Sequence, residues 1–192
     1  TGAGWISLIV TAYQEHYDST AIDFASPHPP TEADLLHVIV RAHGMGLRVM
    51  LKPHLDLLDE ATSDKWRGDI GTGFTGEAQW AAWFASYRSF IVHYAALAQA
   101  HGVEQCCTGT ELLGTTPRAS AWREIAAAVR AVYSGPIVYA ALHGGEERSI
   151  TWWDAVDLIG VDAYYPLNHD LGLHPTVEQL ERAHTAHHVA EL

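Results

Sequence analysis

The chain has 192 residues and a formal net charge of −12 at pH 7, from 11 Lys and Arg against 23 Asp and Glu. Its hydrophobic fraction of 48% and charged fraction of 18% are typical of a globular protein and exclude a disordered, coiled-coil or collagen-like chain. The acidic balance without a basic cluster argues against nucleic acid and anionic membrane as partners, and no apolar run reaches the roughly 18 residues of a membrane span.

Five short apolar runs predict buried β-strands. They cover residues 5–12, 47–51, 104–108, 136–141 and 158–163. Helical patterns lie between them over residues 31–44, 77–101 and 119–133, and a shorter helix precedes the last strand. Capping boxes open the first helix at Thr31 and a final helix at Thr176, which we expect to continue to Leu192. This order predicts successive βα units around a parallel sheet.

The connections after the first two strands separate the two common parallel architectures. A doubly wound sheet usually carries a glycine-rich phosphate turn after an early strand, whereas Tyr13-Gln14 and Lys52-Pro53-His54 stand here. We therefore predict an α/β fold of the (β/α)8 TIM-barrel class. A full barrel needs eight strands and about 250 residues, so five strands indicate one partial barrel domain over residues 1–192. We expect its two open sheet edges to promote aggregation in isolation.

Polar side chains follow the strands, where the catalytic groups of a barrel lie. Glu111 comes just after the third run, and a carboxyl group walled by apolar side chains has a raised pKa and can hold a proton for a leaving group. The alternative is that Glu111 caps the next turn. Asp162 and Tyr164 share a face by strand alternation at the end of the fifth run, and Tyr13 follows the first.

Two further segments offer contacts for a hydroxylated substrate. His54 and Asp56 follow the second run and can hydrogen-bond a sugar or ligate a metal, but the usual metal-site spacings are absent, so we predict no metal and no other cofactor. Trp66 and Arg67 lie in a glycine-rich connection and offer a flat apolar face and a forked donor. The alternative for Trp66 is that it pins this loop to the body of the protein.

The segments that hold these residues resemble glycoside hydrolase family 113, a group of (β/α)8 retaining β-mannanases. The resemblance runs through residues 49–56, 66–68, Tyr87, Phe90, 93–95, 109–112 and 159–166. It implies that the chain spans strands two to six of the barrel and that Glu111 is the acid/base. It also implies that Tyr164 lies near the nucleophile, a glutamate after the seventh strand and therefore beyond Leu192.

The same resemblance implies a carbohydrate partner, β-mannan or mannooligosaccharide, and no nucleic acid or membrane partner. The residues expected to hold the sugar are Trp66, Arg67, His54, Tyr13, Asp162 and Thr110. Many related barrels carry Asn immediately before the acid/base, where this chain has Thr110, which can still donate one hydrogen bond. Without the nucleophile, we expect the chain as given to be inactive.

Two other functions remain open at this point. One is a non-catalytic, carbohydrate-binding barrel fragment, which would need no nucleophile. The other is a metal-dependent barrel hydrolase that uses His54, Asp56, Glu111 and His143 as ligands. No Gly-x-Ser-x-Gly segment occurs, so a serine nucleophile has little support.

Overall fold

The chain forms an open, five-stranded parallel sheet with helices between the strands. The computed structural model describes residues 2–24, 30–164 and 174–187, and the chain divides into two units, residues 1–162 and 163–192. The strands are β1 (Trp5–Gln14), β2 (Arg48–Leu57), β3 (Gln105–Thr110), β4 (Ile137–Leu142) and β5 (Leu158–Asp162). They lie in the order β1-β2-β3-β4-β5, and each pairs in parallel with the next. The predicted partial-barrel fold is confirmed.

The helices also follow the predicted order. The first unit contains α1 (Glu32–Gly44), α2 (Glu60–Ser63), α3 (Glu77–Ala100), α4 (Ala119–Arg130) and α5 (Glu146–Ser149), with 3₁₀ turns at Arg67–Asp69 and Trp153–Ala155. The second unit contains α6 (Val177–His187). Its predicted continuation to Leu192 lies outside the described residues, as do Tyr165 and Pro166. No helix in the described ranges is long and apolar enough to cross a membrane.

Local sequence signals fix the ends of α1. The Thr31 hydroxyl accepts the Asp34 backbone N–H at 3.2 Å, and the Asp34 carboxylate accepts the Thr31 backbone N–H at 3.0 Å. This reciprocal pair satisfies two amides that the helix leaves unpaired. At the other end the chain turns through Gly46, whose φ of +74° is a conformation that glycine adopts without strain.

Strand β2 continues six residues past the end of the predicted apolar run, because it ends at Leu57 rather than Leu51. Lys52-Pro53-His54 suggested a turn, since proline has no N–H for a sheet ladder. The ladder between β2 and β3 includes only Met50 and Leu51, whereas β1 pairs along the whole of β2. Pro53 therefore lies past the part of β2 that pairs on both sides, and the strand continues through it.

The hydrophobic core lies between the helices and the outer face of the sheet. Alternate residues of β2 face this core, and Val49, Leu51 and Leu55 are buried there. A smaller cluster on the inner face holds Cys107, Val138 and Ala140, with Met50 packed against it. The inner face also carries the polar residues from which the candidate site is built.

Candidate active site

Strand β2 supplies three polar side chains to the inner face of the sheet. Lys52, His54 and Asp56 alternate with buried apolar residues, as the two-residue period of a strand requires. Lys52 and His54 were predicted to lie in a turn, whereas the structure places all three within β2. Tyr13 lies on β1 directly opposite Asp56, and its backbone N–H and C=O pair with Asp23.

A β-bulge in β3 sets the position of the residues that follow. Cys107 lies opposite Val138 and Thr110 lies opposite Ala140, so three steps along β3 match two steps along β4. The bulge therefore brings Cys107 and Thr110 to the same face, where the Thr110 Oγ1 atom lies 3.7 Å from the Cys107 Sγ atom. Thr110 is buried, and its predicted contact with substrate stays a prediction.

Glu111 has an unusual backbone conformation immediately after β3. Its φ is +53°, a left-handed conformation that residues other than glycine rarely adopt, and such positions cluster at functional sites. Its backbone N–H donates to the carbonyl oxygen of Ala140 at 2.9 Å, and the residue is 7% exposed. The sequence pattern located Glu111 at a strand end, and the structure adds this strained backbone.

Arg67 connects two carboxylates of the site. Its Nε atom donates to Asp56 Oδ1 at 2.7 Å, and its Nη1 atom donates to Glu111 Oε2 at 3.2 Å. Arg67 begins the 3₁₀ turn Arg67–Asp69, which Asp69 closes by accepting the backbone N–H of Trp66 at 3.2 Å. The predicted role of Arg67 in holding a sugar stays a prediction, but its fork already contacts protein groups.

Lys52 and Asp162 form a second ion pair across the inner face. The Lys52 Nζ atom lies 2.7 and 2.8 Å from the two Asp162 carboxylate oxygens. His143 Nδ1 donates to the Asp162 backbone carbonyl at 3.1 Å. Asp162 was predicted to bind substrate, a role that stays untested, and its carboxylate is engaged by a residue that the sequence reasoning did not single out.

The surroundings of Glu111 favour its protonated form. Burial is the main cause that raises the pKa of Glu111, and the negative charge of Asp162 adds to it, whereas Arg67 and Lys52 act in the opposite direction. For His54, burial and the positive charges of Arg67 and Lys52 lower the pKa to about 4, so its ring is neutral at pH 7. The His54 Nε2 atom is buried and has no hydrogen-bond partner within the described part of the chain.

The remaining predicted residues lie in different environments. The half-buried Trp66 places its ring against Gly68, where a Cβ atom would clash with the indole. Gly68 belongs to the same connection, so both the sugar-stacking role of Trp66 and the alternative that it pins the loop stay untested. Tyr164 belongs to the second unit, and its role beside the nucleophile stays a prediction.

Glu146 and Tyr139 form a buried polar pair that the sequence reasoning missed. The Tyr139 hydroxyl donates to Glu146 Oε1 at 2.6 Å, and burial is the main cause that raises the pKa of Glu146 to about 7. The available signal was a carboxylate four residues after the end of β4, which ends at Leu142. The sequence reasoning considered only His143 after this strand and did not weigh Glu146.

Within the described ranges, no group of three or more His, Cys, Asp and Glu side chains is arranged to hold a metal ion. His54, Asp56, Glu111 and His143 were the ligands of the metal-dependent hypothesis. Arg67 donates hydrogen bonds to two of these four residues, Asp56 and Glu111.

The chain is similar to known proteins over nearly its whole length. The sequence profile of Glycoside Hydrolase Family 113 matches residues 1–190. A solved GH113 β-1,4-mannanase is 29% identical, with a TM-score of 0.78 over 98% of this chain and 58% of the other. The GH113 β-mannanase AaManA from Alicyclobacillus acidocaldarius, in complex with ManMIm, is 34% identical, with a TM-score of 0.78 over 96% of this chain and 57% of the other.

No curated protein sequence matches the chain. The chain spans less than two thirds of the length of the solved β-mannanases that it matches.

Proposed function

We propose, from the premise that the chain belongs to glycoside hydrolase family 113, that the protein carrying it hydrolyses β-mannan or mannooligosaccharides. The family membership confirms the resemblance drawn from the sequence. The two solved β-mannanases that the chain matches support the choice of substrate. Below, the whole protein means the full-length product that contains residues 1–192.

The observation that carries this proposal is the environment of Glu111. Its carboxyl group is nearly buried after β3, on a strained backbone, with a raised pKa. A carboxyl group that stays protonated near neutral pH can donate its proton to the oxygen of a departing sugar. Once ionised, the same group can take a proton from the attacking water.

These two steps define a retaining double displacement. A second carboxylate, about 5–5.5 Å away in retaining enzymes, attacks the anomeric carbon and forms a glycosyl-enzyme intermediate while Glu111 protonates the leaving oxygen. Water then releases the sugar while Glu111 acts as the base. We assign the nucleophile to a glutamate after the seventh strand, outside residues 1–192, so the whole protein is the proposed enzyme.

Arg67 would tune this proton transfer. Its contact with Glu111 at 3.2 Å stabilises the carboxylate form and so opposes the effect of burial on the pKa of Glu111. Both forms of Glu111 must be reached in one catalytic cycle. A positive charge balanced against burial keeps the two forms close in free energy.

His54 is the best-supported sugar contact among the predicted residues. Its Nε2 atom is buried and has no hydrogen-bond partner among the residues that the structure describes, and its ring is neutral at pH 7 because its pKa is about 4. A neutral imidazole can donate to or accept from a hydroxyl group. We include Tyr13, Trp66 and Thr110 as further sugar contacts and Tyr164 as a neighbour of the nucleophile.

The test uses the whole protein and its Glu111→Gln variant, assayed by release of reducing sugar from β-mannan. Glutamine keeps the shape but carries no acidic proton, so we expect turnover to fall by about 10²–10⁴-fold while mannooligosaccharide binding is retained. An aryl mannoside with a good leaving group needs little protonation, and its first step should lose much less. Glu124→Gln, on the exposed face of α4, is the matched control and should behave as wild type.

Two outcomes would contradict the proposal. Full turnover in Glu111→Gln would remove Glu111 from the acid/base role. A wild-type whole protein that binds mannooligosaccharides but never cleaves them would establish the non-catalytic binding function instead.

A further inference from the structure

A buried chain of hydrogen bonds leads from Glu146 to the residue after Glu111. The Tyr139 hydroxyl donates to Glu146 Oε1 at 2.6 Å, and the backbone N–H of Leu112 donates to the Tyr139 hydroxyl oxygen at 2.9 Å. The Leu112 N–H can only donate, so the single Tyr139 proton must point toward Glu146. The second Glu146 oxygen accepts the backbone N–H of Leu142 at 2.6 Å.

The Tyr139 ring has no room to turn. Its edge-to-face contacts are with Trp122, at 5.2 Å between ring centroids, and with Trp152, at 5.1 Å. On the β3 side, a Cβ atom at Gly109 would lie 2.8 Å from the Tyr139 Cε2 atom. Because the ring is fixed, only the direction of its hydroxyl proton can change.

The strained backbone of Glu111 is held on both sides by this part of the fold. Its own N–H donates to Ala140, and the next N–H, that of Leu112, donates to Tyr139. A residue with a φ of +53° persists only where its surroundings impose that conformation. Losing the Leu112 hydrogen bond would free one of the two restraints that direct the Glu111 side chain.

Given the proposed role of Glu111, we propose that Glu146 is a positioning residue for the acid/base. The Glu146 carboxylate accepts a hydrogen bond from the Tyr139 hydroxyl. The Tyr139 oxygen is then free to accept the backbone N–H of Leu112. That hydrogen bond fixes the turn that directs the Glu111 carboxyl group. Glu146 touches no reacting atom in this scheme and acts only through Tyr139.

The protonation state of Glu146 would control this arrangement. Burial raises the pKa of Glu146 to about 7, against the hydrogen bonds from Tyr139 and Leu142. The charges that face it are Glu111 after β3 and Glu147 on its own helix, and both raise its pKa further. A protonated Glu146 would direct its own proton at the Tyr139 oxygen and compete there with the Leu112 N–H.

The Leu112 amide links Glu146 to the turn, because it donates to the Tyr139 hydroxyl that Glu146 holds. This link provides a readout that a purely structural role would not change. A residue that only stabilised the fold would alter the unfolding transition, but the Leu112 amide shift would not follow its titration.

The first experiment needs no variant. The whole protein is labelled with ¹⁵N-leucine and ¹³Cδ-glutamate, and the Leu112 amide proton and the Glu146 carboxyl carbon are followed by NMR from pH 5 to 9. We expect the Leu112 amide shift to titrate with the same midpoint as the Glu146 carboxyl. A Leu112 amide shift that does not change as Glu146 titrates would overturn the proposal.

The second experiment separates the effect of the Tyr139 hydroxyl from the effect of the Glu146 charge. Tyr139→Phe keeps the ring and removes the hydroxyl, whereas Glu146→Gln removes the charge and directs an amide donor at Tyr139. We expect both to lower kcat by roughly tenfold to a hundredfold with little change in KM, since a small misplacement of a reacting group has an effect of that order. In Tyr139→Phe the Leu112 amide shift should no longer follow the titration of Glu146. Glu124→Gln, on the exposed face of α4, is the control and should leave kcat unchanged.

The two proposals can fail separately. Wild-type kcat in both Tyr139→Phe and Glu146→Gln would reject the positioning role while Glu111→Gln still loses turnover. Full turnover in Glu111→Gln would reject the acid/base role, and the Leu112 and Glu146 titrations would still decide whether Glu146 controls the turn. All kinetics are measured well below the unfolding temperature of each variant, so loss of folded protein is excluded as the cause.

Discussion

The ammonium group of Lys52 on β2 lies within 2.8 Å of both carboxylate oxygens of Asp162 on β5, with two strands between them. The two side chains are only 10% and 17% exposed. A buried ion pair contributes little net stability, because desolvation offsets the attraction, but removal of one partner leaves a charge buried alone. The pair thus joins distant strands and sets a strong penalty for losing either residue.

We expect Lys52→Met to lower the free energy of unfolding by about 3–5 kcal/mol. The double variant Lys52→Met/Asp162→Leu should recover most of this loss, because no charge is then left unpaired. Urea unfolding of the whole protein measures both. The control is Arg123→Met, which breaks the exposed pair with Asp154 and should cost less than about 1 kcal/mol. Equal losses in the two single variants would contradict the prediction.

Arg67→Met should raise the pKa of Glu111, because Arg67 lowers it in the native protein. The alkaline limb of the pH profile of kcat/KM, which reports loss of the acid, should move to higher pH. Arg67→Lys keeps the charge but not the fork that reaches both Asp56 and Glu111. We expect it to shift the profile less and still to lower kcat by about tenfold or more. An unmoved alkaline limb in Arg67→Met would sink this prediction.

Glu146 should make the protein less stable as the pH rises toward 7. Its pKa is raised from 4.5 to about 7, so the folded state binds more protons than the unfolded state between these values. The contribution is fully present below pH 4.5 and is lost through pH 7, by on the order of 3 kcal/mol. Glu146→Gln should therefore become more stable relative to wild type as the pH rises, which urea unfolding at pH 4.5, 6 and 8 would measure. A constant difference would contradict the assignment.

His54 should make the protein less stable as the pH falls, the opposite of the pH dependence expected for Glu146. Its pKa is lowered from 6.5 to about 4, so the folded state binds fewer protons than the unfolded state between these values. Its contribution is present above pH 6.5 and is lost as the pH falls toward 4. We expect His54→Gln to resist acid unfolding better than wild type, with no such advantage at pH 8. If the advantage were the same at both pH values, titration of His54 would not be its cause.

Gly109→Ala should destabilise the protein by about 1–3 kcal/mol. Its new methyl group would lie 2.8 Å from a Tyr139 ring atom and 2.9 Å from a Trp122 ring atom, and both rings are fully packed. Gly44→Ala on α1 is the matched control, because no atom of the described residues lies within 4 Å of its Cβ position, and it should be neutral or slightly stabilising. Thermal unfolding of both variants checks the comparison, and an equal effect would show that the Tyr139 ring can move.

The order of the elements follows from local patterns in the sequence. Apolar runs and capping residues such as Thr31 act over a few neighbours, so they predict strands and helix starts well. The predicted end of β2 at Leu51 was wrong, because Lys52-Pro53-His54 has the composition of a turn. Only the neighbouring strands decide whether a proline there breaks a ladder, and that information is not local.

The difference between local patterns and long-range contacts also explains which residues of the site could be predicted. Glu111 was found because barrel chemistry lies at strand ends, which is a positional rule. The partner of Lys52 lies 110 residues away, and Glu146 reaches the site only through Tyr139. The Lys52 contact depends on how β2 and β5 approach each other, and the link from Tyr139 to Leu112 depends on the pairing of β3 with β4.

The left-handed backbone at position 111 also concerns the choice of amino acid there. Glycine would adopt this φ without the strain, on the order of 1–3 kcal/mol, that other residues carry in such conformations. A designer who optimised this backbone for folding alone would replace the glutamate, and a directed-evolution screen for heat resistance would tend to do the same. Position 111 is therefore a point where selection for a sturdier protein and selection for a working one would separate.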